Sequence, residues 1–270
     1  MSGPPPACVL MLSAVATRLG GPDTGAEQRE VTQVVRSARY RDGLTVHTAQ
    51  AVRGEDILEH LLERAPTVVH FSGHATDGGL RVLTEDGGDA PLVTAGLGDL
   101  LAAAGKGVRL VLLNACATDG AAEELAQTAG CAIGYPGRVE DVMAKTFARE
   151  FYRCVGAGLA VGPAHGAAVA VTRMYGAEPE ELAVLHHRPG VDPETWHLLH
   201  TAHLVPLPGA GHVPDPTAFL AQRAGAKPYI ALVTGTTNSE AALRSTLAST
   251  GDLEVQWIRI DDDTSTDRSS

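Results

Sequence analysis

Residues 109–119 read RLVLLNACATD, and this stretch sets the architecture expected of the chain. Residues 110–113 form an uninterrupted apolar run, which is typical of a strand buried on both faces in a parallel sheet. The run ends shortly before Cys116, and the Ala- and Glu-rich residues 121–128 then predict a helix. We therefore expect Cys116 at the carboxyl end of a central strand, where open α/β sheets place their sites. The positive end of the helix dipole would favour the thiolate of Cys116 over the thiol.

A second predicted strand lies upstream and ends next to a histidine. Residues 67–72, TVVHFS, are short and mostly apolar, and Gly73, His74 and Ala75 follow them. Because adjacent parallel strands end at the same edge of a sheet, we expect His74 and Cys116 to lie side by side. A thiol within hydrogen-bond reach of an imidazole is the nucleophile pair of a cysteine peptidase. The alternatives are a buried structural cysteine and a turn histidine without a chemical role.

Both motifs resemble those of a known family. HFSGHA at residues 70–75 and VLLNACAT at residues 111–118 are similar to the His and Cys motifs of CHAT domains, a branch of the caspase-like (clan CD) peptidases. Residues 139–161 resemble the long helix that closes such domains, and the similarity extends from about Ala7 to about Met174. The resemblance implies an α/β fold, a caspase-like three-layer sandwich with a mostly parallel sheet flanked by helices, followed here by a C-terminal extension.

The resemblance also implies a role for each motif residue. Cys116 would be the nucleophile, and His74 would be the general acid and base that protonates the leaving amine. The backbone N–H groups of Cys116 and Ala75 would form the oxyanion hole. The family has glycine where this chain has Ala75, so the N–H group remains but a positive φ becomes unfavourable.

Two acidic residues are candidates for substrate binding. By resemblance, Asp141 would lie in the pocket for the residue that precedes the cut, and Glu140 is a weaker neighbour for the same role. A carboxylate in a partly desolvated pocket selects a cation, so cleavage after Arg or Lys is expected. The alternative for Asp141 is a helix N-cap. Asn114 is expected to order the turn before Cys116, and His70, inside its strand, is expected to face the core or a neighbouring helix.

The composition argues against nucleic-acid-binding and membrane-spanning proteins. The chain of 270 residues has a net charge of −11 and no run of Lys or Arg longer than two, whereas phosphate binding relies on clustered cations. The first residues lack a basic segment, and their apolar run is too short for a membrane span. Four cysteines without paired spacing argue against a disulfide framework, so we expect a reducing, cytoplasmic compartment.

Neither a metal nor another cofactor is expected. His197, His200 and His203 are spaced by three, but no Cys or carboxylate lies at a matching spacing, so surface histidines are favoured over a zinc site. Outside the Cys116 motif, the cysteines fall in apolar stretches and are expected to be buried structural thiols: Cys8, Cys131 and Cys154.

The chain divides into two parts. Residues 1–175 alternate predicted strands and helices, which indicates a parallel sheet with right-handed crossovers, and residues 80–93 predict a hairpin between the two motifs. Residues 176–270 begin with an irregular Pro- and His-rich segment, continue with a strand–helix–strand pattern and end in a polar, disordered tail. The strand–helix–strand extension would either continue the main sheet or form a separate appendage.

Two functions are compatible with these observations. The first is a cysteine endopeptidase that cleaves a protein substrate after a basic residue. The resemblance further implies a regulated effector in bacterial defence or stress signalling, which acts beside a separate sensor or activator protein. The second is a non-catalytic caspase-like module that binds protein partners, an alternative suggested by Ala75 and by the Pro-rich segment.

Overall fold

The computed structural model describes residues 5–15, 22–76, 79–104, 107–199, 232–233 and 258–259. Its contacts divide the chain into two units, of which one spans Pro5–Leu199 and the other contains His200–Ser270. The histidines at positions 200 and 203, the predicted late helix and the predicted disordered tail lie outside the described residues. Both sequence motifs belong to the unit Pro5–Leu199.

Helices and strands alternate along most of this unit, as the sequence predicts. The strands are β1 (Ala7–Ala14), β2 (Leu44–Gln50), β3 (Val68–Gly73), β4 (Ala75–Thr76), β5 (Gly79–Leu83), β6 (Asp89–Leu92), β7 (Leu110–Asn114), β8 (Cys131–Gly134) and β9 (Val184–His187). The helices are α1 (Thr24–Arg36), α2 (Gly54–Arg64), α3 (Thr94–Ala103), α4 (Asp119–Ala129), α5 (Asp141–Gly156) and α6 (Val161–Met174).

The central sheet has six strands in the order β2-β1-β3-β7-β8-β9. The first five are parallel, and β9 runs antiparallel to β8. Helices cover both faces, which explains why β1, β3 and β7 are buried along their whole length. The predicted fold class, a mostly parallel sheet between helices, is confirmed.

The two faces of the sheet differ in polarity. On one face, apolar side chains such as Leu12, Phe71 and Leu113 belong to a continuous core together with residues of α2, α3 and α4. On the other face, His70 contacts α5, and Asn114 contacts both α1 and α5. Side chains alternate between the faces of a strand, so His70 and Ser72 on β3 share this second face, which also carries buried apolar side chains such as Met11 and Leu112. Fully burying one apolar side chain of this size stabilises a fold by about 1.5–3 kcal/mol, so the apolar side chains of both faces contribute to stability.

Strands β4, β5 and β6 form a separate antiparallel sheet directly after the first motif. The predicted hairpin is confirmed: β5 pairs with β6 across a turn in which Gly87 adopts φ 78° and its N–H group donates to Thr84 O. The short strand β4 pairs with β5, with Ala75 opposite Leu80, and was not predicted. Its two residues are too few to produce a periodic pattern.

Beyond residue 175, the segment expected to be irregular contains a strand of the main sheet. Val184–His187 pairs with β8 in antiparallel register, with His186 opposite Ala132. The pair of histidines obscures the alternation that marks an edge strand. In the other unit, two short strands, β10 (Leu232–Val233) and β11 (Ile258–Arg259), are parallel to each other. They fall within residues 227–234 and 253–260, which the sequence predicts as the two strands of the extension. Among the helices of the described residues, none has the length and hydropathy needed to cross a bilayer.

Candidate functional site

The register of β3 and β7 brings the two sequence motifs to one edge of the sheet. Ser72 on β3 is paired with Asn114 on β7, and the two strands are adjacent and parallel. His74 and Cys116 each follow two residues after this pair. Because β3 and β7 end at the same edge of the sheet, the segments that carry the candidate nucleophile and the candidate base are neighbours there.

Local hydrogen bonds fix the turn that contains Cys116. Ala117 has a left-handed φ of 51°, and its N–H group donates to Gly137 O at 2.8 Å. The hydroxyl of Thr118 donates to Ala115 O at 2.8 Å and accepts from the N–H group of Tyr135 at 3.1 Å. A non-glycine residue with positive φ stores strain, which the surrounding bonds must offset. The turn is therefore held in one conformation by the segment that follows β8.

Cys116 is partly exposed, unlike the residues of the strand before it. Its Sγ lies 3.7 Å from Val139 O, at the start of the segment that leads into α5. Helix α4 begins at Asp119, three residues after the cysteine. Burial first, and the nearby Glu27 and Cys116 second, raise the pKa of Tyr135 well above its usual value. Cys116 is therefore only partly buried, and its surroundings include a buried tyrosine hydroxyl.

His74 is half-buried and is attached to the small antiparallel sheet. Its carbonyl accepts from the N–H group of Arg81 at 3.0 Å, and its ring Nε2 is buried without a hydrogen-bond partner in the described part of the chain. The Arg81 guanidinium in turn binds Asp89, with Nε 2.6 Å from Oδ2. Arg81 mainly, and His74 to a smaller extent, lower the pKa of Asp89. This carboxylate near His74 was not found from the sequence, because it depends on the pairing of β5 with β6.

The backbone at position 75 accommodates alanine, although the family that the motifs resemble has glycine there. The N–H group of Arg81 donates to His74 O, so Ala75 and Leu80 form a non-hydrogen-bonded pair, and the Ala75 N–H group points away from β5. Ala75 lies in a strand, whereas the non-glycine residues with positive φ in the described ranges are Ala51, Ala65 and Ala117. An alanine therefore fits this position without left-handed strain.

Asp141 is the first residue of α5 and forms an ion pair within the helix. Its Oδ2 lies 2.7 Å from Lys145 Nζ, one turn further along. Hydrogen bonding to Asp141, followed by the charges of Asp23 and Glu30, raises the pKa of Lys145. The N-cap of α5 is Glu140, whose side chain makes no capping bond, so the alternative expectation for Asp141 is not realised. Glu140 is exposed.

The polar residues inside the two strands have specific partners. His70 faces a helix, as expected, and its Nδ1 lies 3.2 Å from Tyr152 Oη on α5. Asn114 does not bond to its own turn: its Nδ2 donates to Glu27 Oε1 on α1 at 2.5 Å and to Ala144 O on α5 at 3.2 Å. Glu27 was missed from the sequence because it lies 87 residues from Asn114.

The other cysteines lie away from the two motifs and are free thiols. Burial raises the pKa of Cys131 to about 12, and burial likewise raises the pKa of Cys8. Cys154 is only half-buried, which corrects the expectation of a fully buried thiol, because it lies on the half-exposed side of α5. Within the described residues, no group of three or more His, Cys, Asp or Glu side chains is arranged to bind a metal ion.

Comparison with known proteins adds two findings. The sequence model of the CHAT domain matches residues 8–197, which is more than half of the chain. Among solved structures, the crystal structure of the Arg-specific cysteine proteinase gingipain R is similar with a TM-score of 0.49 and 11% sequence identity, over 72% of this chain and 48% of that chain. The chain thus spans about half the length of that proteinase structure. No curated protein sequence matches it.

Proposed function

Because the chain belongs to the CHAT domain family, we propose that it is a cysteine endopeptidase that cleaves a protein substrate with Cys116 and His74. The observation that carries the proposal is the pairing of Ser72 with Asn114 on adjacent strands. His74 comes two residues after Ser72, and Cys116 comes two residues after Asn114. Partial exposure of Cys116, and the short distance along the chain to α4, support a reactive thiol.

The proposed reaction proceeds by acyl transfer. The Cys116 thiolate attacks the carbonyl carbon of the scissile peptide, and the new C–S bond places a negative charge on the carbonyl oxygen. The N–H groups of Cys116 and Ala75 donate to this oxygen. The C–N bond then breaks as His74 protonates the leaving amine, and a thioester remains. His74 next accepts a proton from water, whose oxygen displaces Cys116 and releases the new carboxylate.

Preference for a basic residue before the cut is proposed from Asp141, with Glu140 as a weaker contributor. The carbonyl oxygen of Val139 contacts the Cys116 sulfur, and Asp141 comes two residues after Val139. Asp141 is therefore close along the chain to a group that contacts the candidate nucleophile. Its carboxylate is paired with Lys145 at 2.7 Å. A substrate cation would have to displace the lysine ammonium, for which Asp23 and Glu30 are nearby alternative partners.

A regulated role is proposed from the family alone. We expect a cytoplasmic effector in bacterial defence or stress signalling that responds to a separate sensor or activator protein. Nucleic acid is not expected as a direct partner, because the chain has a net charge of −11. These expectations concern the partners rather than the chemistry, and the chemistry can be tested without them if a peptide substrate is found.

Peptide cleavage tests the proposal. The full chain is incubated, with and without lysate from its native host as a source of activator, with a peptide library that varies the residue before the cut. Cleavage after Arg or Lys is expected, together with its loss in Cys116→Ala and His74→Ala. Cys154→Ala is the matched control, because it removes a half-buried free thiol at another part of the fold. Cleavage that persists in Cys116→Ala would rule out the proposed nucleophile.

A second candidate function is a protein-binding module without catalysis. The burial of His74 Nε2 and the Lys145 ion pair on Asp141 favour it, because both would limit a substrate's access to these groups. The pH profile of Cys116 alkylation separates the two functions. A thiol activated for catalysis is alkylated at pH values well below 8.5, which is about the pKa of an ordinary cysteine. A labelling midpoint near that pKa would favour the binding module.

A further inference from the structure

A buried carboxylate joins the two strands that precede the candidate site. Glu27 on α1 is 3% exposed. Its Oε1 accepts from Asn114 Nδ2 at 2.5 Å and lies 2.9 Å from His70 Nε2, at ion-pair distance although outside hydrogen-bond geometry. One oxygen atom therefore contacts both β3 and β7.

The contacts continue from these two residues to α5. His70 Nδ1 lies 3.2 Å from Tyr152 Oη, and the amide of Asn114 also donates to Ala144 O at 3.2 Å. We call Glu27, His70, Asn114 and Tyr152 the Glu27 cluster. Its members are 0–5% exposed and come from four elements, namely α1, β3, β7 and α5. The helix that ends the cluster is the one that begins at Asp141.

Stability alone does not account for this arrangement. Burying a carboxylate and an imidazole removes both from water, and a buried ion pair can often be replaced by apolar side chains without loss of stability. The opposite face of the same strands is such an apolar core, formed by Val69, Phe71, Val111 and Leu113. A buried polar network of this kind specifies how the strands and helices align.

The cluster lies next to the candidate site along both strands. Asn114 precedes Cys116 by two residues, and His70 precedes His74 by four. We infer that Glu27 is a positioning residue, which aligns Cys116 and His74 with each other through its contacts to Asn114 and His70. The inference rests on the proposed function, since it concerns the same pair of residues.

Two tyrosines lie near Glu27 in addition to His70 and Asn114. His70 faces it from β3, Asn114 from β7, Tyr152 from α5, and Tyr135 approaches from the segment after β8. Burial mainly, and Glu27 in addition, raise the pKa of both tyrosines well above the usual value, so both remain neutral hydroxyls.

Alkylation of Cys116 by iodoacetamide measures the coupling between the two site residues without a known substrate. Mass spectrometry of the Cys116 peptide gives the labelling rate against pH and its midpoint. An imidazolium near a thiol lowers the thiol pKa by about one unit or more, so His74→Ala should raise the midpoint by that amount. If Glu27 aligns the pair, His74→Ala in a Glu27→Leu background should raise the labelling midpoint by less than half as much as it does in the native protein.

Two further variants make the result specific. Glu27→Gln retains an oxygen for Asn114 and most of the volume but loses the charge that faces His70, so its His74 effect should lie between those of the native protein and Glu27→Leu. If circular dichroism shows that Glu27→Leu is unfolded, Glu27→Gln becomes the main test, and a His74 effect as large as in the native protein would then overturn the positioning role. Val31→Ala removes two methyl groups from a fully buried side chain of the same helix and controls for lost stability, so it should leave the His74 effect intact.

The outcomes separate the inference from the function on which it rests. If His74→Ala leaves the midpoint unchanged in otherwise native protein, the proposed pair fails, and the inference fails with it. If His74→Ala raises the midpoint equally in the native protein and in both Glu27 variants, the pair stands and the positioning role is overturned. If the rise caused by His74→Ala is also smaller in a Val31→Ala background, the reduction comes from lost stability rather than from Glu27. That result would also overturn the inference.

Discussion

At position 75, alanine occupies a strand residue whose N–H group points away from the neighbouring strand. Ala75→Gly should therefore change kcat/KM by less than about threefold, because no positive φ has to be accommodated. It should lower the free energy of unfolding by about 0.5–1 kcal/mol, the usual cost of glycine in a strand. Urea unfolding and peptide cleavage check both values, with Ala90→Gly in the same small sheet as the control. A tenfold gain in activity would show that the site requires glycine.

The cysteines should differ strongly in reactivity. Burial raises the pKa of Cys131 to about 12, so at pH 8 its thiolate fraction is only about one in ten thousand, whereas Cys116 is partly exposed. Iodoacetamide at pH 8 should label Cys116 at least a hundred times faster than Cys131, as measured by mass spectrometry. In the unfolded chain Cys131 loses its proton near pH 8.5, so its contribution to stability is present below that pH and is lost as the pH rises towards 12. Equal labelling rates in folded protein would contradict this burial.

At the scale of elements, the first turn of α5 should control the response to basic substrates. Lys145→Met removes the ammonium that lies 2.7 Å from Asp141 while keeping most of the side-chain length. A half-exposed ion pair is worth about 0.5–1 kcal/mol, so kcat/KM for peptides with Arg before the cut should rise by about two- to fivefold. Peptides with Met at that position should not respond. The double variant Lys145→Met/Asp141→Asn should lose the gain, and a gain that persists would place the basic-residue pocket elsewhere.

The sequence predicts those helices and strands whose structure is determined by their own residues. An apolar run such as residues 110–113 can only be a buried strand or part of a buried helix, and the turn after it favours the strand. Strand β9 cannot be recognised in the same way, since two histidines interrupt its pattern and its position depends on the free edge of β8. The Glu27 cluster could not be predicted for a stronger reason. Its partners are separated by 43 to 87 residues, and a glutamate in an amphipathic helix is usually solvated.

At the scale of the whole molecule, the region from 176 to 199 is tied to the sheet by several kinds of contact. Strand β9 covers the edge of β8. The Trp196 ring lies over the Arg109 guanidinium, with the guanidinium carbon 4.3 Å from the ring centre, and its Nε1 donates to Arg109 O. Glu181 accepts from the N–H group of Glu140 at 3.0 Å, just before α5. The predicted boundary at residue 175 would remove all of these contacts, while a boundary at Leu199 would keep them.

Truncation at these two positions should therefore give opposite results. A chain ending at Leu199 should fold with a thermal midpoint within a few degrees of that of the full chain and should retain the pH profile of Cys116 alkylation. A chain ending at residue 175 exposes the unpaired edge of β8 to other molecules, so it should aggregate or unfold at a markedly lower temperature. Circular dichroism and size-exclusion chromatography distinguish these states. Because β8 leads into the segment that bonds to the Cys116 turn, any folded fraction of the shorter chain should also show a shifted Cys116 profile. A stable shorter chain with an unchanged profile would mean that the sheet edge at β8 contributes nothing to the site.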